Sequence, residues 1–155
     1  MLGTLNEKEI DDLLRHNIIA RIGCRYNESV YIVPVSYAYD NNCVIVHTVE
    51  GMKVDLMRTH PAVCFEVDNI ENMGNWKSVI AWGNFREITD PVERQSAIKK
   101  LYKRSFPDIV SEKVKLHTRW PFQPDDKDVI KGIVFKIQLH KKTGRFERSD
   151  EVHFQ

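Results

Sequence analysis

The sequence predicts a mainly β chain, a closed or half-closed antiparallel barrel with helices at its edges. Three observations carry this. Stretches rich in β-branched and aromatic residues dominate over helical ones. Several are joined by short turn-forming segments that suit hairpins. Strand patterns also return after the helices without the regular strand–helix alternation of a parallel α/β sheet. At 155 residues, with 42% hydrophobic and 29% charged side chains, a single domain over 1–155 has enough apolar material for a core.

"TLNEKEIDDLLRHN" reads as a helix. Thr4 and Glu7 have capping-box spacing, Ile10, Leu13 and Leu14 share an apolar face, and His16-Asn17 ends it. A short strand from Ile18 to Cys24 turns through "RYNES" into a longer one from Val30 to Tyr39. Pro34 cannot donate to a ladder, so that strand must be an edge there, or bulge, or face a non-protein partner. Asp40-Asn41-Asn42 tolerates positive φ and makes a hairpin into Cys43 to Thr48. A helix from about Gly51 to Thr59 follows, closed by Pro61.

Ala62 to Asp68 is a strand, "NIENMGN" a loop, and Trp76 to Thr89 a long strand in which Gly83 marks a bulge or bend. Asp90 or Thr89 caps the next helix, with Pro91 in its first turn and Ile98, Leu101 and Tyr102 on one face. "PDIVSEKVKLHTRW" suggests another helix and "PFQPDDKD" a loop. The last strand lies between Val129 and Gly144, where Ile133, Phe135, Ile137 and Leu139 alternate with polar or small residues. The polar tail from about 145 is poorly patterned.

The bulk numbers exclude some classes. A net charge of +1 lacks the electrostatic footprint of a dedicated nucleic-acid binder. The N-terminus shows no basic region followed by an apolar run, and no stretch approaches the roughly 18 apolar residues that span a bilayer. A cytoplasmic chain with no membrane partner is expected. Cys24, Cys43 and Cys64 lie far apart inside apolar runs, which suits buried free thiols in a reducing compartment. The six histidines (16, 47, 60, 117, 140 and 153) form no compact ligand spacing, so no metal site is expected. Walker, GxGxxG and GxSxG motifs are absent, and nucleophilic catalysis has no support.

Four stretches invite a functional reading. In "VIVHTVEGMKVDLMRTHP", a strand ends at His47-Thr48, Gly51 opens a helix, and Lys53 lies just inside it. The unpartnered first amides and the dipole of a helix favour an anion, and Lys53 would add a mobile positive charge. The alternative is an ordinary connection: Gly51 relieves a tight turn, Thr48 or Glu50 caps the helix, and Lys53 is solvated. Glu50 repels an anion unless it points away. Spacing alone leans to the ordinary connection.

"VPVS", Val33 to Ser36, offers backbone carbonyls and a hydroxyl to a flat heterocycle, or is simply an edge strand. In "NWKSVIAWG", Trp76 and Trp82 share a strand face with Ser78 between them, which suits a stacked planar ligand or a core. Trp120 and Phe122 lie in a loop and need a partner, whether ligand or another subunit.

Taken together, V-P-V-S, H-T-x-E-G-x-K, V-C-F-E-V-D and W-x-S-V-I-x-x-G resemble the pyridoxamine 5′-phosphate oxidase-like, FMN-binding split-barrel family, and within it the nitroimidazole-resistance flavoprotein branch. The likeness covers Thr4 to about Asp90 well and the last strand more loosely. It implies an antiparallel split barrel of six or more strands with flanking helices, and a homodimer with flavin at the subunit interface. By resemblance, Val33, Pro34, Val35 and Ser36 line the isoalloxazine, and His47 and Thr48 sit at the ribityl–phosphate end. Lys53 holds the phosphate with the amides at Gly51 and Met52.

Trp76, Lys77 and Ser78 match a flavin-contacting segment, across the dimer or within the chain, and Trp120 and Phe122 cover the ring from the partner. True pyridoxamine phosphate oxidases carry a C-terminal segment with Arg and His for their substrate's phosphate; no such motif follows Gly144 here, so vitamin B6 oxidation is not implied. Met52 replaces a basic residue found in some relatives, which leaves more of the phosphate binding to Lys53.

The resemblance therefore implies an FMN-dependent oxidoreductase acting on a small molecule such as a nitro compound or quinone, with NAD(P)H as a donor. FAD is the alternative cofactor. A non-catalytic flavin carrier or sensor, and a heme-binding split barrel, are the competing functions. His47 is the one candidate proton donor, because histidine can donate at neutral pH.

Overall fold

The computed structural model describes residues 1–104 and 132–149. In chain order the elements are β1 (Leu2–Thr4), α1 (Glu7–His16), β2 (Ile19–Tyr26), β3 (Ser29–Ser36), β4 (Ala38–Asp40), β5 (Cys43–Thr48), α2 (Met52–Thr59), β6 (Ala62–Asn72), β7 (Asn75–Glu87), α3 (Pro91–Lys103) and β8 (Ile133–Arg148). The strands form one antiparallel sheet in the order β3-β2-β6-β7-β8-β5-β4, and β1 pairs with the far end of β8. This is the split barrel with flanking helices that the sequence predicts.

The long strands coil the sheet. β8 pairs with β5 through Ile133–Gln138 and with β7 along most of its length. The ladder slips between Trp82 and Gly83, leaving His140 as the extra residue. A Cβ on Gly83 would run into the Gln138 carbonyl and lie 2.8 Å from the Ile137 side chain, so this bulge needs glycine. The inward face gathers Ile22, Phe65, Val79, Phe135 and Ile137, and α1 and α2 plug it with Leu13, Leu14, Val54 and Met57. Tyr37 lies edge-on to Phe65 at 5.0 Å and donates its hydroxyl to the Leu14 carbonyl at 2.6 Å. α3 packs outside the sheet, with Ala97, Ile98 and Leu101 against Ala38, Ile45 and Val134.

Several boundaries differ from the sequence reading. The capping box is Asn6 with Glu9, not Thr4 with Glu7. The chain from Val30 to Tyr39 breaks at Tyr37 into β3 and β4. Most of "NIENMGN" is strand, because β6 and β7 keep pairing through exposed polar residues up to Asn72 and Asn75. The polar tail also stays in the sheet as far as Arg148, since Arg145 and Glu147 are paired with both β7 and β1. Asp90 is the cap of α3, accepting from the Glu93 amide at 2.9 Å. The helix and loop expected between Pro107 and Asp128 lie outside the described residues.

One ion pair ties α1 to the barrel. Lys142 Nζ reaches Asp11 at 2.6 Å, and Tyr39 donates to the same carboxylate at 2.8 Å. Burial raises the Asp11 pKa, but the bonds from Lys142 and Tyr39 outweigh it and hold the carboxyl below 3.8. A depressed carboxylate contributes stability above its unfolded value and loses it as pH falls through the folded one. The parent is therefore expected to lose more stability than Asp11→Asn between pH 5 and pH 2, measured by urea unfolding. Equal losses would show that the pair does not contribute.

Candidate functional site

The barrel is open along one seam. β4 pairs only with Cys43–Ile45, so Val46, His47 and Thr48 run on with β8 on one side and no strand on the other. β3, at the opposite end of the sheet order, approaches β5 without joining its ladder. Val33 to Ser36 and His47-Thr48 thus flank the split. Pro34 sits on a strand whose only ladder partner among the described residues is β2, which suits its missing N–H.

The two walls differ. On β3, Val35 is buried and Val33 packs against the core, so neither side chain faces outward; any contact they make to a ligand runs through backbone. Pro34 is exposed and Ser36 half-buried on the other face. Ser36 Oγ accepts from Arg104 Nη1 at 2.7 Å, and the same nitrogen donates to the Tyr37 carbonyl at 3.0 Å. Burial pushes the Arg104 pKa down. The sequence reading missed Arg104, because a basic residue at a helix end normally reads as a dipole partner.

On the β5 wall, His47 and Thr48 are half-buried opposite Val134 and Ile133. Gly132, at φ +102°, lies against both. A Cβ there would fall 2.5 Å from the Thr48 carbonyl and 3.0 Å from His47 Nε2. Arg94 Nη2 donates to the Gly132 carbonyl at 3.2 Å.

α2 begins at this end of the split. Gly51 is its N-cap with an extended φ of 172°, and a Cβ there would meet nothing within 4 Å. Relief of a tight turn is therefore not the reason for this glycine. Neither Thr48 nor Glu50 caps the helix, and among the described residues no side chain does. Glu50 forms a two-pronged pair with Arg58 at 2.9 Å per bond, and Arg58 also grips Glu87 at 3.1 Å. The Arg58 bonds hold the Glu50 carboxyl below its usual range. The carboxylate that counted against an anion is thus already partnered. Lys53 is half-buried, and its charge draws the Cys24 thiol downward, although burial dominates and raises it. Met52 is exposed.

Trp76 and Ser78 lie on the outer face of β7, not in the core. Trp76 Nε1 donates to Glu147 at 3.0 Å and Ser78 to Glu66 at 3.3 Å; Arg21 bridges Glu66 and Asp68 at 3.0 and 3.1 Å. Trp82 is on the same face, under the Lys141 ammonium at 5.0 Å. Lys77 belongs to the opposite face of β7, across from Phe146 and Asn69.

Within one chain Ser78 is linked across the outer sheet face to the β3 wall, since it donates to Glu66, and Arg21 pairs with both Glu66 and Pro34. Ala62, which follows α2, pairs with Asn84, whereas Trp76 pairs with Ile70. Trp76 thus lies eight residues, about 27 Å of strand, along β6 from the C-terminal end of α2. Trp120 and Phe122 lie outside the described residues. Cys24, Cys43 and Cys64 are free, with burial pushing each thiol up. Among the described residues no His, Cys, Asp and Glu cluster could hold a metal, and no helix is long and apolar enough to cross a membrane.

Residues 6–146 match the family described as pyridoxamine 5′-phosphate oxidase. The chain belongs to that family. Its fold is shared with an FAD-binding protein from Mesorhizobium loti, at 26% identity and a TM-score of 0.72, covering 94% of this chain and 98% of that one. A candidate 5-nitroimidazole antibiotic resistance protein from Bacteroides thetaiotaomicron shares the fold at 18% identity and a TM-score of 0.70, covering 97% and 93%. An uncharacterised protein of Rhizobium meliloti strain 1021 is 29% identical over 84 residues. The match spans 54% of this chain and 56% of that protein, so the chain spans about half the length of this curated relative.

Proposed function

We propose that the chain binds FMN in the split and serves as a flavin-dependent oxidoreductase for a small molecule, with NAD(P)H as donor and a nitro compound or quinone as acceptor. The observation that carries this reading is the meeting of the open seam with an uncapped helix end. His47 and Thr48 lead directly into a helix start whose neighbouring carboxylate, Glu50, is drawn to Arg58 at the far end of the helix and whose second residue is a half-buried lysine. A flavin phosphate needs amides and a positive charge there.

The bound flavin would supply the redox chemistry, as a carrier of a hydride or electron pair. The chain's own residues would hold it. Lys53 and the amides from Gly51 take the phosphate, Thr48 and His47 face the ribityl chain, and Pro34 and Ser36 place the ring edge. The membership of this chain in the family, and the FAD-binding Mesorhizobium protein of the same fold, support a flavin over other planar ligands.

Family membership supports a homodimer in the cytoplasm, with Trp76 and Ser78 contributing from a second copy. The outer sheet face mixes exposed apolar side chains, with Val30 65% exposed, Ile32 67% and Ile70 64%, with the Arg21, Glu66 and Asp68 cluster. Covering it by a two-fold partner would bury these side chains and complete the site. Trp76→Ala is expected to shift the protein toward monomer in sedimentation and to alter flavin fluorescence; an unchanged dimer with unchanged fluorescence would remove Trp76 from both roles.

The deciding experiment is the absorbance spectrum of the purified protein, with mass identification of the released cofactor and NAD(P)H oxidation assays. Flavin bands and an FMN mass are expected. A Soret band without flavin bands would replace the proposal with heme binding. Full flavin occupancy without turnover on any acceptor would reduce it to a carrier or sensor.

A further inference from the structure

We infer that Arg104 is a positioning residue for the candidate flavin site: it clamps the β3–β4 corner and leaves Ser36 as a hydrogen-bond donor to the ligand. This rests on the flavin reading above and extends it to a residue outside the family motifs quoted for it.

The corner at Tyr37 is tied from two sides. On one side, the Tyr37 amide donates to the Ile18 carbonyl at 2.9 Å and its hydroxyl to the Leu14 carbonyl at 2.6 Å. On the other, Arg104 Nη1 donates to the Tyr37 carbonyl at 3.0 Å and to Ser36 Oγ at 2.7 Å. Ser36 is the last residue of β3, on the wall of the split, so the clamp acts where a ring edge would rest.

The chemistry of the two groups fixes the direction of the bond. A guanidinium has donors only, so Ser36 must accept from it. The serine hydroxyl keeps one hydrogen, and that hydrogen cannot point back at Arg104. It is left for an acceptor on the outer side of β3. An oxidised flavin ring presents acceptors along its edge, in its carbonyl oxygens and unprotonated nitrogens. A serine held this way therefore presents a donor of fixed orientation. Without Arg104 the hydroxyl would rotate freely and could satisfy itself on nearby backbone.

The test is a double-mutant cycle in FMN affinity, measured by fluorescence titration on the full chain. Ser36→Ala and Arg104→Met are each expected to weaken binding about tenfold, the scale of one hydrogen bond. The double variant should lose no more than either single, because Arg104 acts through Ser36. Arg104→Lys, which keeps a cationic donor, should recover part of the loss and guards against a general loss of fold. Losses that multiply to about a hundredfold, or an Arg104→Met protein that binds like the parent, would overturn the inference while leaving the flavin reading intact.

Should the parent bind no FMN, the flavin reading falls and with it the ligand role of Ser36. The clamp is then read by amide hydrogen exchange. An approximately tenfold or greater loss of protection at Tyr37 and Ala38 in Arg104→Met supports it, and unchanged protection overturns it.

Discussion

Lys53→Ala is expected to weaken FMN binding by about one to two orders of magnitude while leaving the fold and the proposed dimer intact. The size follows from removing one charged hydrogen-bond donor, about 1.5–3 kcal/mol. The fold should survive because Lys53 belongs to neither core cluster; Val54 and Met57 anchor α2 instead. Riboflavin, which lacks the phosphate, separates this role from general damage. Its affinity should be the same for parent and variant, and the difference for FMN should shrink as salt is raised. An FMN affinity equal to the parent's would remove Lys53 from the phosphate site. An equal loss for riboflavin would show that the substitution disturbs the split itself.

Much of the barrel was legible because alternation survives in the sequence. Ile133, Phe135, Ile137 and Leu139 all turn inward as their spacing demands, and Gly83 and Pro34 fall at the bulge and the edge that their chemistry requires. The start of α1 was misread because two capping patterns overlap, Thr4 with Glu7 and Asn6 with Glu9. Tertiary packing decides between them. Leu5 is buried and its amide donates to the Gly144 carbonyl at 3.0 Å, so the chain is still strand-like there and the helix starts later. The strand segments beyond Asp68 and Gly144 were missed because charged and amide residues outnumber apolar ones there, leaving no clear alternation, although Phe146 packs against the core.

The site divides the same way. His47, Thr48, Gly51 and Lys53 lie within seven residues, so the role proposed for them can be read from one short stretch. Arg104 is 68 residues from Ser36, and Arg58 answers Glu50 from the far end of the helix. Those partnerships exist only after folding. The outward placement of Trp76 was equally hidden, because a strand pattern tells which residues share a face but not which face meets the core.

Two glycines at this site should behave in opposite ways, and the sequence pointed to the wrong one. Gly51→Ala is expected to change stability by no more than about 0.5 kcal/mol, since its φ is extended and a Cβ enters open space. Gly132→Ala is expected to cost about 2–4 kcal/mol in urea unfolding, with loss of most FMN affinity. One part of that cost is the positive φ of +102°, which L side chains rarely adopt. The other is contact. The new methyl would press on the Thr48 carbonyl and on His47 Nε2 at 3.0 Å, and backbone at the end of a paired strand has little room to give.

Both residues it would displace lie at the seam just before the helix proposed to hold the phosphate, so stability and binding should fall together. A Gly132→Ala protein as stable as the parent would mean that the 132–133 junction relaxes freely. A protein that is destabilised yet binds FMN with parental affinity would show that His47 and Thr48 support the barrel but do not touch the cofactor.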